Sequence, residues 1–142
     1  MPPRLFLSIE DDNAAFFLLK MVLKETDPSI QLLRASDGPQ ALSLLQKSGT
    51  QEDARYPDLI LLDLNLPKRN GFEVLQDLKN APSTRSIPVI VFTTSRNADD
   101  RDKSLALGAQ EYVTKPPSLE RFIEVVRAFA RIPETRAAGP PL

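Results

Sequence analysis

Leu59-Ile60-Leu61-Leu62 is the most strongly patterned segment of this chain, and Asp63 follows it directly. Four consecutive aliphatic residues between polar or turn-forming neighbours indicate a strand that is buried on both faces, as in parallel sheets. Open α/β sheets bind ligands at the carboxyl ends of their strands, which is where Asp63 is expected. A carboxylate buried there costs free energy unless another group offsets its charge. The segment therefore predicts a parallel sheet with a charged site at its edge.

Outward from this segment, strand patterns alternate with helix patterns. The predicted strands are Leu5–Ile9, Ile30–Arg34, Leu59–Leu62, Pro88–Phe92 and Gln110–Val113. The predicted helices run from Asp12 or Asn13 to Glu25, onward from Ser36-Asp37-Gly38-Pro39, onward from Asn70-Gly71, from Asp99 to Leu107, and from Ser118 to Arg131. The polar stretch Ser48–Tyr56 is predicted to be a loop.

Five such strand–helix units predict one α/β domain with a doubly wound, five-stranded parallel sheet. The common strand order is 2-1-3-4-5, and its switch point lies between the first and third strands. We expect the domain to span residues 1–132 and residues 133–142 to form a flexible C-terminal tail.

The first strand also ends in acids, because Glu10-Asp11-Asp12 comes directly after Ile9. In the predicted strand order, these residues and Asp63 lie on the two strands that flank the switch point. Several carboxylates are then crowded at one place, and such a cluster calls for a cation. Asp12 or Asn13 is about as likely to cap the following helix as to bind a metal ion, so neither is assigned to the site.

The composition excludes several classes of function. The net charge of −1 argues against general affinity for nucleic acid. Because the chain has no Cys and no His, it cannot form disulfides, thiolate or His-ligated zinc sites, or triads that depend on His. No apolar run approaches a membrane span, and the first residues leave no room for a signal peptide. A cytoplasmic protein is expected.

Polar residues at four strand ends then give a family resemblance. Glu10-Asp11, Asp63, Thr93-Thr94 and Lys115-Pro116 follow strands one, three, four and five. In this order they resemble the receiver domain of two-component response regulators, from about Leu5 to Arg131. The segment Asp63–Gly71, with Thr93-Thr94-Ser95, is most similar to the phytochrome-associated single-domain regulators.

The resemblance implies a phosphoacceptor protein with slow self-catalysed phosphoryl transfer and autodephosphorylation, rather than a turnover enzyme. Asp63 would receive a phosphoryl group from a histidine kinase, for which a bacteriophytochrome is expected. Mg²⁺ would be bound by the carboxylates of Asp11 and Asp63, by the backbone carbonyl of Asn65, and by Glu10 through a water molecule, since it prefers oxygen ligands.

The remaining implied roles concern the signal that follows phosphorylation. Lys115 would form an ion pair across the site and would contact the phosphoryl group, and the Lys115–Pro116 peptide bond would be cis. Thr93 would donate its hydroxyl to the phosphoryl group, and Tyr112 would move inward as Thr93 moves. The surface made by helix four, strand five and helix five would change in response. It could also form a homodimer through the apolar residues Leu105, Phe122 and Phe129, unless these residues are simply part of the core.

Two residues depart from the family pattern near the site. Thr94 is bulkier than the residue that many receivers have after the switch threonine, and it is expected to narrow access to Asp63. Arg69 stands where Met is frequent, which is expected to place a cation at the mouth of the site.

Two other functions remain open from the residues alone. A magnesium-dependent phosphohydrolase would also use an aspartyl phosphate, but such dehalogenase-like enzymes usually have a second Asp where this chain has Asn65. A pseudo-receiver that only docks is disfavoured because the full set of site residues is present. A DNA-binding regulator is disfavoured by the charge, and the downstream protein target stays open.

Overall fold

A computed structural model describes residues 3–48 and 55–132 of the chain. In these residues, five strands alternate with five helices. The strands are β1 (Leu5–Ile9), β2 (Gln31–Ala35), β3 (Leu59–Leu62), β4 (Val89–Thr93) and β5 (Glu111–Thr114). The helices are α1 (Asn13–Thr26), α2 (Gly38–Ser48), α3 (Gly71–Asn80), α4 (Ala98–Ala106) and α5 (Leu119–Ala130). The predicted succession of elements is confirmed.

All strand pairs are parallel, and the strand order is β2-β1-β3-β4-β5, as predicted. β1, β3 and β4 are buried along their whole length, whereas β2 and β5 at the sheet edges are partly exposed. This agrees with the uninterrupted aliphatic run of β3, because a central strand covered on both faces has no solvent side.

Two helices pack on each face of the sheet, and the remaining helix, α4, is less buried. α2 and α3 contribute to the core on one face, and α1 and α5 contribute to the core on the other. α4 is attached more loosely, since Ser104 is its only buried residue in the described chain. The helix that follows the proposed switch threonine is therefore the least embedded in the core.

Side-chain caps and backbone chemistry fix the ends of the elements. Asp12 caps α1 by accepting hydrogen bonds from the amides of Ala14 and Ala15, so the choice between Asp12 and Asn13 is resolved. Asn70 and Glu73 form a reciprocal capping box at the start of α3. The fourth strand starts at Val89 and not at Pro88, because proline has no N–H to donate to the ladder.

Two predicted segments lie at least partly outside the described residues. They are the central part of the loop Ser48–Tyr56, at positions 49–54, and the tail at positions 133–142. Among the described residues, no helix is both long enough and apolar enough to span a bilayer.

Candidate functional site

The carboxylates predicted to meet at the switch point do meet. Ile9 and Leu62 are partners in adjacent strands, so Glu10 and Asp63 leave the sheet side by side. One carboxylate oxygen from each of Glu10, Asp11 and Asp63 lies within 4.8 Å of the others. Glu10 and Asp63 are buried, whereas Asp11 is exposed. The arrangement could hold a metal ion through oxygen ligands.

Lys115 reaches this cluster from the end of β5. Its Nζ lies 3.1 Å from Asp63 Oδ2 and also donates a hydrogen bond to Glu10 Oε1. Its side chain is only 10% exposed, and the ammonium lies 5.7 Å from the centre of the Phe92 ring. The ion pair expected of Lys115 is therefore present, and a single ammonium serves two buried carboxylates.

Burial and charge shift the pKa values of this group. Burial raises the pKa of Glu10 from 4.5 to about 7, and Asp63 adds to the rise, although contact with Lys115 opposes it. Burial alone would lower the pKa of Lys115, but its contacts with Glu10 and Asp63 outweigh that effect and raise it. One ammonium cannot fully offset two carboxylates, so the site favours an additional positive charge.

Backbone contacts hold Asp63 in a defined direction. Its N–H donates to the carbonyl of Ile9 at 3.1 Å, and its Oδ1 accepts a hydrogen bond of 3.1 Å from the N–H of Asn65. The N–H of Gly71 donates to the carbonyl of Leu64 at 3.0 Å, which ties the start of α3 to the end of β3. The phosphoacceptor candidate is thus held by the turn that follows it.

Thr93 and Tyr112 are linked through Ser95, for which the sequence predicted no linking role. The Thr93 hydroxyl accepts a hydrogen bond of 3.4 Å from the N–H of Ser95. The carbonyl of Ser95 accepts hydrogen bonds from the hydroxyls of Tyr112 at 2.8 Å and Thr114 at 3.2 Å. The Ser95 hydroxyl donates to Asp100 of α4 at 2.6 Å. Ser95 therefore joins the buried Thr93, β5 and α4.

This arrangement matches a known family over most of the chain. Residues 6–127 match the response regulator receiver domain. The chain belongs to that family. It is a receiver-domain response regulator of two-component systems, and the family match favours this class over the phosphohydrolase that the residues alone had left open.

Similar proteins include regulators from cyanobacteria. Response regulator Rcp1 of Synechocystis sp. is 41% identical over 128 residues, which are 90% of this chain and 87% of Rcp1. The structure of phosphorylated RcpA, a cyanobacterial phytochrome response regulator, superimposes with a TM-score of 0.83 at 35% identity, over 89% of this chain and 91% of RcpA. The Mn²⁺-bound form of Rcp1 superimposes with a TM-score of 0.81 at 40% identity, over 89% of this chain and 91% of the Rcp1 chain.

One expectation about this receiver needs correction. No peptide bond in the described residues is cis, so the predicted cis Lys115–Pro116 bond is wrong. The trans form, which X–Pro bonds generally favour, suffices here because the Lys115 N–H continues the ladder to the Thr93 carbonyl at 2.6 Å while its side chain reaches both acids.

Arg69, the cation expected at the mouth of the site, is paired with carboxylates. Its guanidinium lies 2.5 Å from Asp77 and 3.5 Å from Glu73, both on α3. These carboxylates offset part of the positive charge of Arg69.

We predict that Mg²⁺ stabilises this receiver more at about pH 8 than at about pH 5.5. Glu10 holds its proton up to about pH 7 in the metal-free fold but only to about 4.5 when unfolded, so the free energy of unfolding falls as pH rises between these values. Mg²⁺ binds the ionised form and reverses this loss. The chain has no histidine, the residue whose ordinary pKa lies inside this window.

Thermal melts with Mg²⁺ and with EDTA at both pH values provide the measurement. Glu10→Gln is the control, because an amide does not titrate, and its stability should not depend on pH in this window. An equal stabilisation of the wild type by Mg²⁺ at both pH values would contradict the prediction.

Proposed function

We propose that this receiver accepts a phosphoryl group on Asp63 from the phosphohistidine of a histidine kinase. An Asp63 carboxylate oxygen attacks the phosphorus, the P–N bond breaks, and its electron pair stays on the imidazole nitrogen, which takes up a proton. The observation that carries the proposal is the position of Asp63, buried beside Glu10 and Asp11 with Lys115 Nζ at 3.1 Å.

The residues present fit a magnesium ion. Glu10, Asp11 and Asp63 offer only oxygen atoms, and the backbone carbonyl of Asn65 would complete the protein ligands. When bound, Mg²⁺ supplies positive charge for the phosphoryl oxygens. The structure of Mn²⁺-bound Rcp1 supports a divalent cation in a similar protein.

Lys115 would then exchange one partner for another. In the unphosphorylated site its ammonium contacts both Glu10 and Asp63. A phosphoryl group on Asp63 carries additional negative charge, which draws the ammonium towards the phosphoryl oxygens. The same lysine would therefore stabilise the buried acids before transfer and the aspartyl phosphate afterwards.

The signal would pass from Thr93 through Ser95 to Tyr112. When the Thr93 hydroxyl turns to donate to the phosphoryl group, its acceptor contact with the Ser95 N–H is lost. The carbonyl of Ser95 then moves with the loop, which releases or redirects the Tyr112 hydroxyl. Because α4 is bound to this loop through Ser95 and Asp100, the surface of α4, β5 and α5 would change for a downstream protein.

A phytochrome kinase is the proposed source of the phosphoryl group. The support is the similarity to RcpA, a phytochrome response regulator. A homodimer through α4, β5 and α5 has weaker support, because Phe122 and Phe129 are buried against Phe92 and only Leu105 of the three expected residues is exposed. Sedimentation with and without a phosphoryl mimic tests the dimer.

The proposed function is tested by intact-mass measurement after incubation with acetyl phosphate. We expect one phosphoryl adduct in the presence of Mg²⁺ and none in EDTA. If no adduct forms, transfer from a phosphorylated histidine kinase distinguishes a site where Thr94 excludes small donors from a module that only docks. Failure with both donors would reject the phosphoacceptor role.

Asp11→Asn should greatly weaken Mg²⁺ binding while leaving the ion pairs of Lys115 in place. Asp11 is the exposed member of the acidic cluster and does not contact Lys115, so its removal takes away a metal ligand without disturbing the buried pairs. Isothermal titration with Mg²⁺ measures the change. Asp12→Asn, which keeps a residue able to cap α1, is the matched control, and an unchanged affinity in Asp11→Asn would contradict the proposed ligand set.

A further inference from the structure

We propose that Arg34, packed on Phe16, is a positioning residue that orients Asp11 for the metal ion. This inference rests on the proposed magnesium site and extends it to a side chain on the edge strand β2. Arg34 Nε donates a hydrogen bond of 3.1 Å to the backbone carbonyl of Glu10. Its guanidinium carbon lies 4.8 Å from the centre of the Phe16 ring on α1.

The segment around Asp11 is fixed on both sides. Before it, the Glu10 N–H donates to the Ala35 carbonyl at 2.9 Å, and Arg34 holds the Glu10 carbonyl. After it, Asp12 caps α1, and the Asp12 N–H donates to Glu10 Oε2 at 3.2 Å. The peptide between Glu10 and Asp11 can therefore rotate only if the bond from Arg34 breaks.

In the part of the chain that the structure describes, the Asp11 carboxylate is not oriented by contacts with other side chains. Within the described ranges, its exposed carboxylate makes no hydrogen bond or ion pair with another side chain. The backbone at Glu10–Asp11, which Arg34 holds, therefore sets the point from which the Asp11 side chain extends, and only rotation about its side-chain bonds is left. Phe16 matters because its ring lies against the guanidinium and so limits the positions that the Arg34 side chain can take.

A competing role for Arg34, electrostatic repulsion of the metal ion, predicts the opposite change in Mg²⁺ affinity when Arg34 is replaced. A cation beside an acidic metal site repels Mg²⁺, so if charge were its main effect, Arg34→Gln would tighten Mg²⁺ binding. If Arg34 positions Asp11, the same substitution weakens binding, by about tenfold, as for other groups that orient metal ligands. Phe16→Leu removes the ring without changing any charge, so it should weaken binding in the same direction and by a smaller factor.

The experiment measures Mg²⁺ affinity by isothermal titration for the wild type, Arg34→Gln, Phe16→Leu and Arg4→Gln. Arg4 is the matched control, since it also packs on a phenylalanine, Phe6, and donates to a backbone carbonyl, that of Ile132, but it precedes β1 at the far end of the sheet. Arg4→Gln should lower the melting temperature without changing Mg²⁺ affinity. Unchanged or tighter binding in Arg34→Gln and Phe16→Leu would overturn the inference.

A second readout is independent of the metal. In the metal-free proteins, the amide proton and nitrogen resonances of Asp11 should shift in Arg34→Gln and should stay unchanged in Arg4→Gln. A wild type that binds no Mg²⁺ would contradict the proposed function, whereas the amide shifts would still report whether Arg34 holds the Glu10–Asp11 peptide. Absence of these shifts would overturn the inference whatever the metal affinity.

Discussion

Asp63→Asn is expected to abolish phosphoryl incorporation completely while the protein stays folded. The amide cannot act as the nucleophile, and no other carboxylate in the described chain is buried beside Lys115 except Glu10. Stability should change little, because the variant loses one contact with Lys115 but also the repulsion between Asp63 and Glu10. Intact mass after reaction with acetyl phosphate and Mg²⁺, together with a thermal melt, measures both effects.

Asp58→Asn is the matched control at the other end of the same strand. Asp58 immediately precedes β3, where its carboxylate accepts a hydrogen bond from the Leu5 N–H at 2.8 Å and pairs with Arg55. An asparagine there retains an acceptor oxygen, and phosphorylation should proceed at the wild-type level. A phosphoryl adduct that persists in Asp63→Asn, or that disappears in Asp58→Asn, would place the phosphoacceptor elsewhere.

Gly71→Ala is expected to damage both the fold and the site. A Cβ at this position would lie 2.5 Å from the Leu64 Cα and 2.6 Å from the Asp63 carbonyl oxygen, so the backbone of α3 or of the β3 end must move. Overpacking against backbone should lower the free energy of unfolding by about 2 kcal/mol, despite the better helix propensity of alanine. The displaced Asp63 should also react more slowly, by roughly tenfold, since transfer depends on its geometry.

Gly38→Ala separates the two effects expected of Gly71→Ala, which are a loss of stability and a slower phosphorylation of Asp63. A Cβ at Gly38 would lie 2.8 Å from a methyl group of Val74 and 3.0 Å from Arg69 Cβ, both side-chain atoms between α2 and α3. This variant should lose stability but keep the wild-type rate of phosphorylation per folded molecule. Urea unfolding and initial rates of adduct formation give the two quantities, and equal rates in Gly71→Ala and the wild type would refute the proposed coupling to Asp63.

The central features could be predicted because their sequence signals are local. The run Leu59–Leu62 has the same bounds in the sequence and in the structure, and it identifies a strand covered on both faces. The order of the strands follows from the alternation of strands and helices, and the meeting of Glu10 with Asp63 follows from that order. The free-energy cost of burying two carboxylates then explains why the Lys115 ammonium lies between Glu10 and Asp63.

The missed features depend on contacts between distant segments. Arg34 lies on an edge strand, where a charged residue usually only faces solvent, and its bond to the Glu10 carbonyl has no signal in the local pattern. Ser95 acts largely through its backbone carbonyl, which every residue has. The ion pair of Arg69 joins it to Asp77, eight positions later in the chain, and no local pattern signals such a contact.

The most direct test of the central claim is to identify the residue that carries the phosphoryl group. Reduction with borohydride converts an aspartyl phosphate to homoserine, which peptide mass spectrometry can assign to a position. After phosphorylation with Mg²⁺, we predict homoserine at position 63 and nowhere else, and none after incubation in EDTA. Homoserine at another aspartate, or its absence at position 63 after both acetyl phosphate and a histidine kinase have been tried, would contradict the assignment of Asp63 as phosphoacceptor.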